Sequence, residues 1–159
     1  MEEKSALIAR LERELARLRD RTGACRTTLR FESAELGFRV DDVCAESVRE
    51  GLNSLKGETS IDQRRGVAFQ WLDRHRRVFV ERDCLNAAPE VAPEREVIEI
   101  YGVRAEMVAP LIEAGRLAGA VSVHYTRGAR DWTALEIATV ESACKEILGI
   151  LDEARSRKR

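Results

Sequence analysis

The stretch 115–132 reads GRLAGAVSVHYTRGARDW, and Ser122 and His124 stand two apart in an otherwise small, apolar run. Residues two apart on a strand share a face. One side of this strand is therefore polar, and it meets either solvent or something polar held inside the fold. ACRTTLRFE carries a second such pattern: Arg26, Thr28 and Arg30 share one face, and Cys25, Thr27, Leu29 and Phe31 the other. Guanidinium groups grip carboxylates with two parallel hydrogen bonds. Arginines on one face, with Thr28, Ser122 and His124 as neutral donors, suit a small carboxylic acid or amide. The plainer reading has both arginines paired with neighbouring acids such as Asp41 or Asp42. Aromatic residues are only 5% of the chain, which leaves Trp71, Tyr101 and Trp132 as candidate walls.

Positioning these groups falls to alternating helices and strands. SALIARLERELARLRDRTG sets Ile8, Leu11, Leu15 and Leu18 at helical spacing and stops at Gly23. Strands are predicted at ACRTTLRFE, FRVDDVCAES and RRVFVERD. SIDQ, residues 60–63, matches a capping box and predicts a helix of about 15 residues through VAFQWLDRH. Pro89 and Pro93 mark a loop, and EREVIEIYG reads as a short helix stopped by Gly102. RAEMVAPLIEAGRLAGAVSVHYT is a hairpin turning at Ala114-Gly115. TALE, residues 133–136, is a second capping box. It starts a last helix over 133–155 with Ile137, Val140, Cys144, Ile147 and Leu151 along one side.

A chain of 159 residues has the size of one domain, 1–159, with enough length for a real core. Charges nearly cancel at net −1, so no attraction to nucleic acid or a membrane surface is expected. The basic tail RSRKR suits the end of a helix. No apolar run approaches the ~20 residues that span a bilayer. MEEKSALIAR is acidic and helical rather than a signal peptide, so a cytoplasmic location is expected. Cys25, Cys44, Cys84 and Cys144 lack metal-binding spacing and read as reduced, small buried hydrophobes.

The run YGVRAEMVAPLIEAGRLAGAVSVHYTRGARDWTALEIATVESACKEI closely resembles the end of GAF domains, especially those of phytochromes and bacterial sensor kinases. Gly102-Val103, the turn Gly115-Arg116-Leu117, His124, Arg130 and Trp132 carry the resemblance, and TGACRTTLRFE is similar to the family's first strand. It implies an α+β fold with a central antiparallel sheet, terminal helices on one face and a small-molecule pocket on the other. It places His124 in that pocket, with Ser122 and Ala120 beside it and Val121, Val123 and Tyr125 toward the helices. It also turns Glu106 and Val108 toward the ligand and sets Asp83 in a loop above it. A register copied from phytochromes would turn Thr27 and Leu29 inward instead; side-chain chemistry favours Arg26, Thr28 and Arg30.

The resemblance has gaps. The attachment cysteine and the D-I-P and P-R-x-S-D stretches of bilin-binding members are missing. Haem would have only His124 or His75 as an axial ligand. No cofactor is therefore expected, with bilin and haem disfavoured. The N-K-x-x-x-F-x-x-x-D-E motif of cyclic-nucleotide members is absent. Free methionine sulfoxide reductases cluster three cysteines, whereas only Cys84 stands in the corresponding loop. The expected function is sensory or regulatory binding of a small carboxylate or amide. The alternatives are an enzyme of the same fold, with Glu106 and His124 as an acid–base pair and Cys84 as nucleophile, and a pure interaction module. With no output segment attached, a sensory role implies a separate partner or a longer parent chain. The apolar stripes on the terminal helices recur close to every 3.5 residues, which predicts a homodimer joined as a four-helix bundle.

Overall fold

The computed structural model describes residues 2–159. In chain order the elements are α1 (Glu2–Thr22), β1 (Arg26–Phe31), β2 (Ala45–Val48), α2 (Val67–His75), β3 (Phe79–Glu81), β4 (Ala105–Glu113), β5 (Arg116–Tyr125) and α3 (Ala134–Lys158). The five strands form one antiparallel sheet in the order β2-β1-β5-β4-β3. This is the α+β plan implied above. The β4–β5 turn puts Ala114 at φ 49° and Gly115 at φ 76°, the positive angles that a two-residue hairpin turn requires.

The register stacks polar residues in rows. Arg26 lies opposite His124, Thr28 opposite Ser122 and Arg30 opposite Ala120 across β1 and β5. Across β5 and β4, His124 meets Glu106 and Ser122 meets Val108. The opposite sheet face is apolar. Leu29, Phe31, Met107, Leu111, Val121 and Val123 pack there with Leu11, Leu15 and Leu18 of α1 and Val140, Ile147 and Leu151 of α3. The Thr27 hydroxyl, also on that side, donates to the Leu15 carbonyl at 2.7 Å. Gly119 is required where β5 crosses β1, because a Cβ there would sit 2.0 Å from the Arg30 carbonyl oxygen.

Two local expectations are corrected. FRVDDVCAES is strand only at its end. Residues 39–44 form turns and loop, leaving Ala45–Val48 as β2 and Phe38 in an isolated bridge to Ser33. The Ser60 capping box is absent. The Ser60 hydroxyl turns back to the Glu58 carboxylate, and the predicted long helix is a 3-10 turn, Gln63–Arg65, followed by α2. On α1 and α3, Leu11, Leu15, Val140, Ile147 and Leu151 are fully buried toward the sheet, while Ile8 and Ile137 are partly buried. The second capping box is present: the Thr133 hydroxyl accepts from the Glu136 backbone and the Glu136 carboxylate from that of Thr133. No helix among the described residues is long and apolar enough to cross a membrane.

Candidate ligand site on the sheet face

The polar rows of β1, β5 and β4 form the floor of a cavity. Thr28, Arg30, Val108, Ser122, Glu106 and His124 line it from below. Above them lie Val67, Ala68 and Phe69 of α2, Leu55 and Ile61 from the loop before it, and the five-residue π turn Val97–Tyr101. The cleft opens to solvent and offers about 50 Å³ to the centres of water-sized bodies. At about 10–15 Å³ for each water, that takes a handful of waters or a small molecule of similar bulk.

Both strand arginines are buried on this face. Arg26 donates through Nη1 to the Tyr101 carbonyl at 2.9 Å, and through Nη2 to the Asn53 carbonyl and side-chain oxygens, each at 2.9 Å. Its Nη1 also lies 3.1 Å from His124 Nδ1. A guanidinium only donates, so Nδ1 is the acceptor and the ring is neutral with its proton on Nε2. Burial, then the Arg26 and Arg30 charges, hold His124 well below its ordinary range. Arg30 is 4% exposed and donates to the Tyr101 hydroxyl at 3.0 Å and the Val40 carbonyl at 3.3 Å. Every hydrogen-bond partner of the two guanidiniums is neutral. The expected pairing with Asp41 or Asp42 does not form; those carboxylates accept from the backbones of Gln63 and Gly57. Buried charge without a counter-ion is costly.

Glu106 is 6% exposed, and among the described residues its only hydrogen-bond partner is the Cys84 thiol, 3.9 Å from Oε2. Burial, followed by the Glu94 and Glu81 charges, lifts its pKa to about 7. Burial and the Glu106 charge also push the Cys84 thiol up. A thiol held protonated is a poor nucleophile, so the constellation of Cys84, Glu106 and His124 lacks an activated attacking group.

Of the residues expected at the site, Thr28, Arg30, Tyr101, Glu106, Val108, Ser122 and His124 come together around the cavity. Arg26 does not line it; it stands behind His124 and holds the Tyr101 backbone. Trp71 and Asp83 also lie outside. Trp71 stacks on His75 and meets the edge of Phe79, while Asp83 accepts from Asn86 in its own loop. Arg130 and Trp132, part of the opening pattern, serve the frame. Arg130 lies over Trp132, pairs with Glu136 at the start of α3 and donates to the Thr22 carbonyl at the end of α1. Two site residues went unforeseen. Gln63 donates to the Tyr101 hydroxyl at 3.1 Å, and Glu94 accepts from Val67 N–H at 2.6 Å, capping α2 from a loop 27 residues downstream. No local spacing encodes a cap from that distance. Among the described residues no group of three His, Cys, Asp or Glu side chains is placed to hold a metal ion.

An antiparallel sheet with paired terminal helices behind it and a polar cavity in front sets the class of fold. The GAF domain family model matches residues 6–149, and the chain belongs to that family. No curated relative matches the sequence. Among solved structures, the cyanobacteriochrome receptor PixJ matches with TM-score 0.72 and 22% identity, covering 93% of this chain and 97% of its own. The far-red absorbing dark state of JSC1_58120g3 with bound biliverdin IXa matches with TM-score 0.64 and 16% identity, over 96% of this chain and 98% of its own. The GAF domain of an Acinetobacter phosphoenolpyruvate-protein phosphotransferase matches with TM-score 0.69 and 12% identity, over 94% and 84%. These likenesses correct the expectation about cofactors. A chain with this fold over nearly its whole length carries a bilin, so the missing attachment motifs do not set that class aside.

Proposed function

We propose that this chain is a sensory GAF domain whose sheet-face cavity binds a carboxylate-bearing small molecule at Arg30. One observation carries this reading: the Arg30 guanidinium is buried at the cavity wall with neutral partners only. A ligand carboxylate supplies the direct ion pair that Asp41 and Asp42, acting on Arg30 at longer range, do not. To reach it, the ligand displaces the Tyr101 hydroxyl, and Tyr101 belongs to the π turn above the cavity. Arrival of the ligand therefore moves the lid, which is the change a separate partner would read. The donor set also fits the propionates of a bilin, the class held by JSC1_58120g3. Arg30 would meet one propionate and Ser122 and His124 lie beside it; a body of that size requires the lid to open beyond the present 50 Å³.

The test is calorimetric titration with aliphatic monocarboxylates and with biliverdin, on the wild-type chain and on Arg30→Ala. The variant is expected to weaken binding by roughly 1.5–3 kcal/mol, the contribution of a hydrogen bond to a charged group. Unchanged affinity for every carboxylate, or no binding of any by the wild-type chain, overturns the proposal.

A further inference from the structure

Two buried ionisable groups at the cavity wall each lack a partner of opposite charge. Arg30 has only Tyr101 and Val40. Glu106 faces Cys84 from the turn after β3, Glu81 from β3 and Glu94 from the loop above. From β5 it faces the neutral His124. Arg26, behind His124, spends its guanidinium on Tyr101, Asn53 and that ring. Neither group has a direct ion-pair partner: no cation is hydrogen-bonded to Glu106, and Arg30 feels Asp41 and Asp42 only at longer range.

The two ends are well separated. Arg30 stands opposite Ala120 and Glu106 opposite His124, four residues further along β5 and on its other side. Strand spacings put their Cα atoms roughly 13 Å apart along the sheet and about 10 Å apart across it. No contact joins the two side chains, although the Arg30 guanidinium extends over the Tyr101 ring that stacks on His124. Ser122 and His124 lie between them, and Ile61, Val67, Phe69 and Val97 close the space above with apolar surface.

Building on the carboxylate reading, we infer that the ligand of this cavity is zwitterionic, with a carboxylate held by Arg30 and an ammonium group held by Glu106. The apolar cover fits a methylene chain between the charges. An ω-amino acid meets this description, whereas in an α-amino acid both charges sit on one carbon. Binding also has a proton signature. The empty site holds Glu106 partly protonated near neutral pH, and an incoming ammonium favours the carboxylate. The complex therefore forms with release of a proton to buffer.

Calorimetry with δ-aminovalerate, n-valerate and n-pentylamine, in phosphate and in Tris at neutral pH, tests the inference. The wild-type chain is expected to bind δ-aminovalerate roughly tenfold or more tightly than n-valerate, the effect of one charge-assisted hydrogen bond. Its heat should differ between the two buffers in the sense of proton release. Glu106→Gln keeps the side-chain volume; it should lose the preference for the amino acid over n-valerate and lose the buffer dependence. A thermal melt confirms that the variant is folded. Equal wild-type affinity for the two acids, or a preference that survives in Glu106→Gln, overturns the zwitterion. Loss of n-valerate binding in Arg30→Ala then shows the carboxylate reading still standing. If Arg30→Ala binds n-valerate like the wild type, the carboxylate reading fails and this inference with it.

Discussion

Glu106 is a carboxyl that folding makes less acidic, from its ordinary 4.5 to about 7. Between those values the folded chain keeps a proton that the unfolded chain has lost. Stability therefore falls as pH rises through that window and levels off above it. His124 works in the other direction. Its folded pKa lies below the ordinary 6.5, so the unfolded chain takes up a proton that the folded chain refuses, and stability falls as pH drops below 6.5. Glu106→Gln should remove the first slope and leave the second. Its melting temperature is expected above the wild type at about pH 8 and equal to it at about pH 4, followed by circular dichroism. A wild-type advantage at the higher pH would show that ionised Glu106 is stabilised by a group not identified around it. At this scale the sequence was readable where period two applies, which is how Thr28, Arg30, Ser122 and His124 could be set on one face. Glu106 and Val108 needed the family resemblance. Trp71 and Asp83 could not be judged locally, because which loop closes over a sheet is decided by packing between distant segments.

Among the elements, β5 carries the site, and Gly119 fixes its distance from β1. A methyl at Gly119 would meet the Arg30 carbonyl oxygen at 2.0 Å and Phe31 Cα at 2.9 Å, both backbone atoms that cannot swing away. Gly119→Ala is expected to destabilise the fold by about 1–3 kcal/mol or more, the range for forcing atoms into a packed interior, measured by urea denaturation. It should also displace Arg30 and weaken carboxylate binding in whatever fraction remains folded. A neutral effect on stability would mean that β1 and β5 separate freely at this point. Helix ends show how far local chemistry reaches. Thr133 and Glu136 form their capping box with Glu136 Oε1 taking the Thr133 N–H while Oε2 pairs with Arg130. SIDQ has the same pattern, but Glu58 takes the Ser60 hydroxyl, and α2 begins later at Gly66 with its cap supplied by Glu94. The pattern was present and the competitor was a neighbour the pattern does not include.

For the whole molecule, the apolar stripes of α1 and α3 were legible as stripes, but the surface they cover was not. Periodicity shows that a face is apolar, not whether the chain's own sheet or a second copy buries it. Here the sheet does. Leu15→Glu should therefore unfold the chain rather than split an assembly. We propose that a homodimer forms through the terminal helices α1 and α3, on the faces turned away from the sheet. Leu135 is 77% exposed there, and the exposed Ala138, Ser142 and Gly149 follow it at helical intervals, leaving the backbone open to close approach. Light scattering at micromolar concentration should give twice the 17.9 kDa of one chain, and Leu135→Glu should halve it. A single-chain mass for the wild type rules the dimer out.

The pairing of β1 with β5 has a kinetic side. β1 is the first strand of the sheet and β5 the last, and their contacts span as many as 98 residues, from Arg26 to His124. Long-range pairing of this kind slows folding, because the loop must close before any contact repays it. On a chain emerging from a ribosome, β1 waits until residue 125 has been made. Until then Arg26 and Arg30 remain hydrated, and their transfer into the sheet face is a late step. The cavity is thus assembled at the end of folding, when the two ends of the chain meet around it.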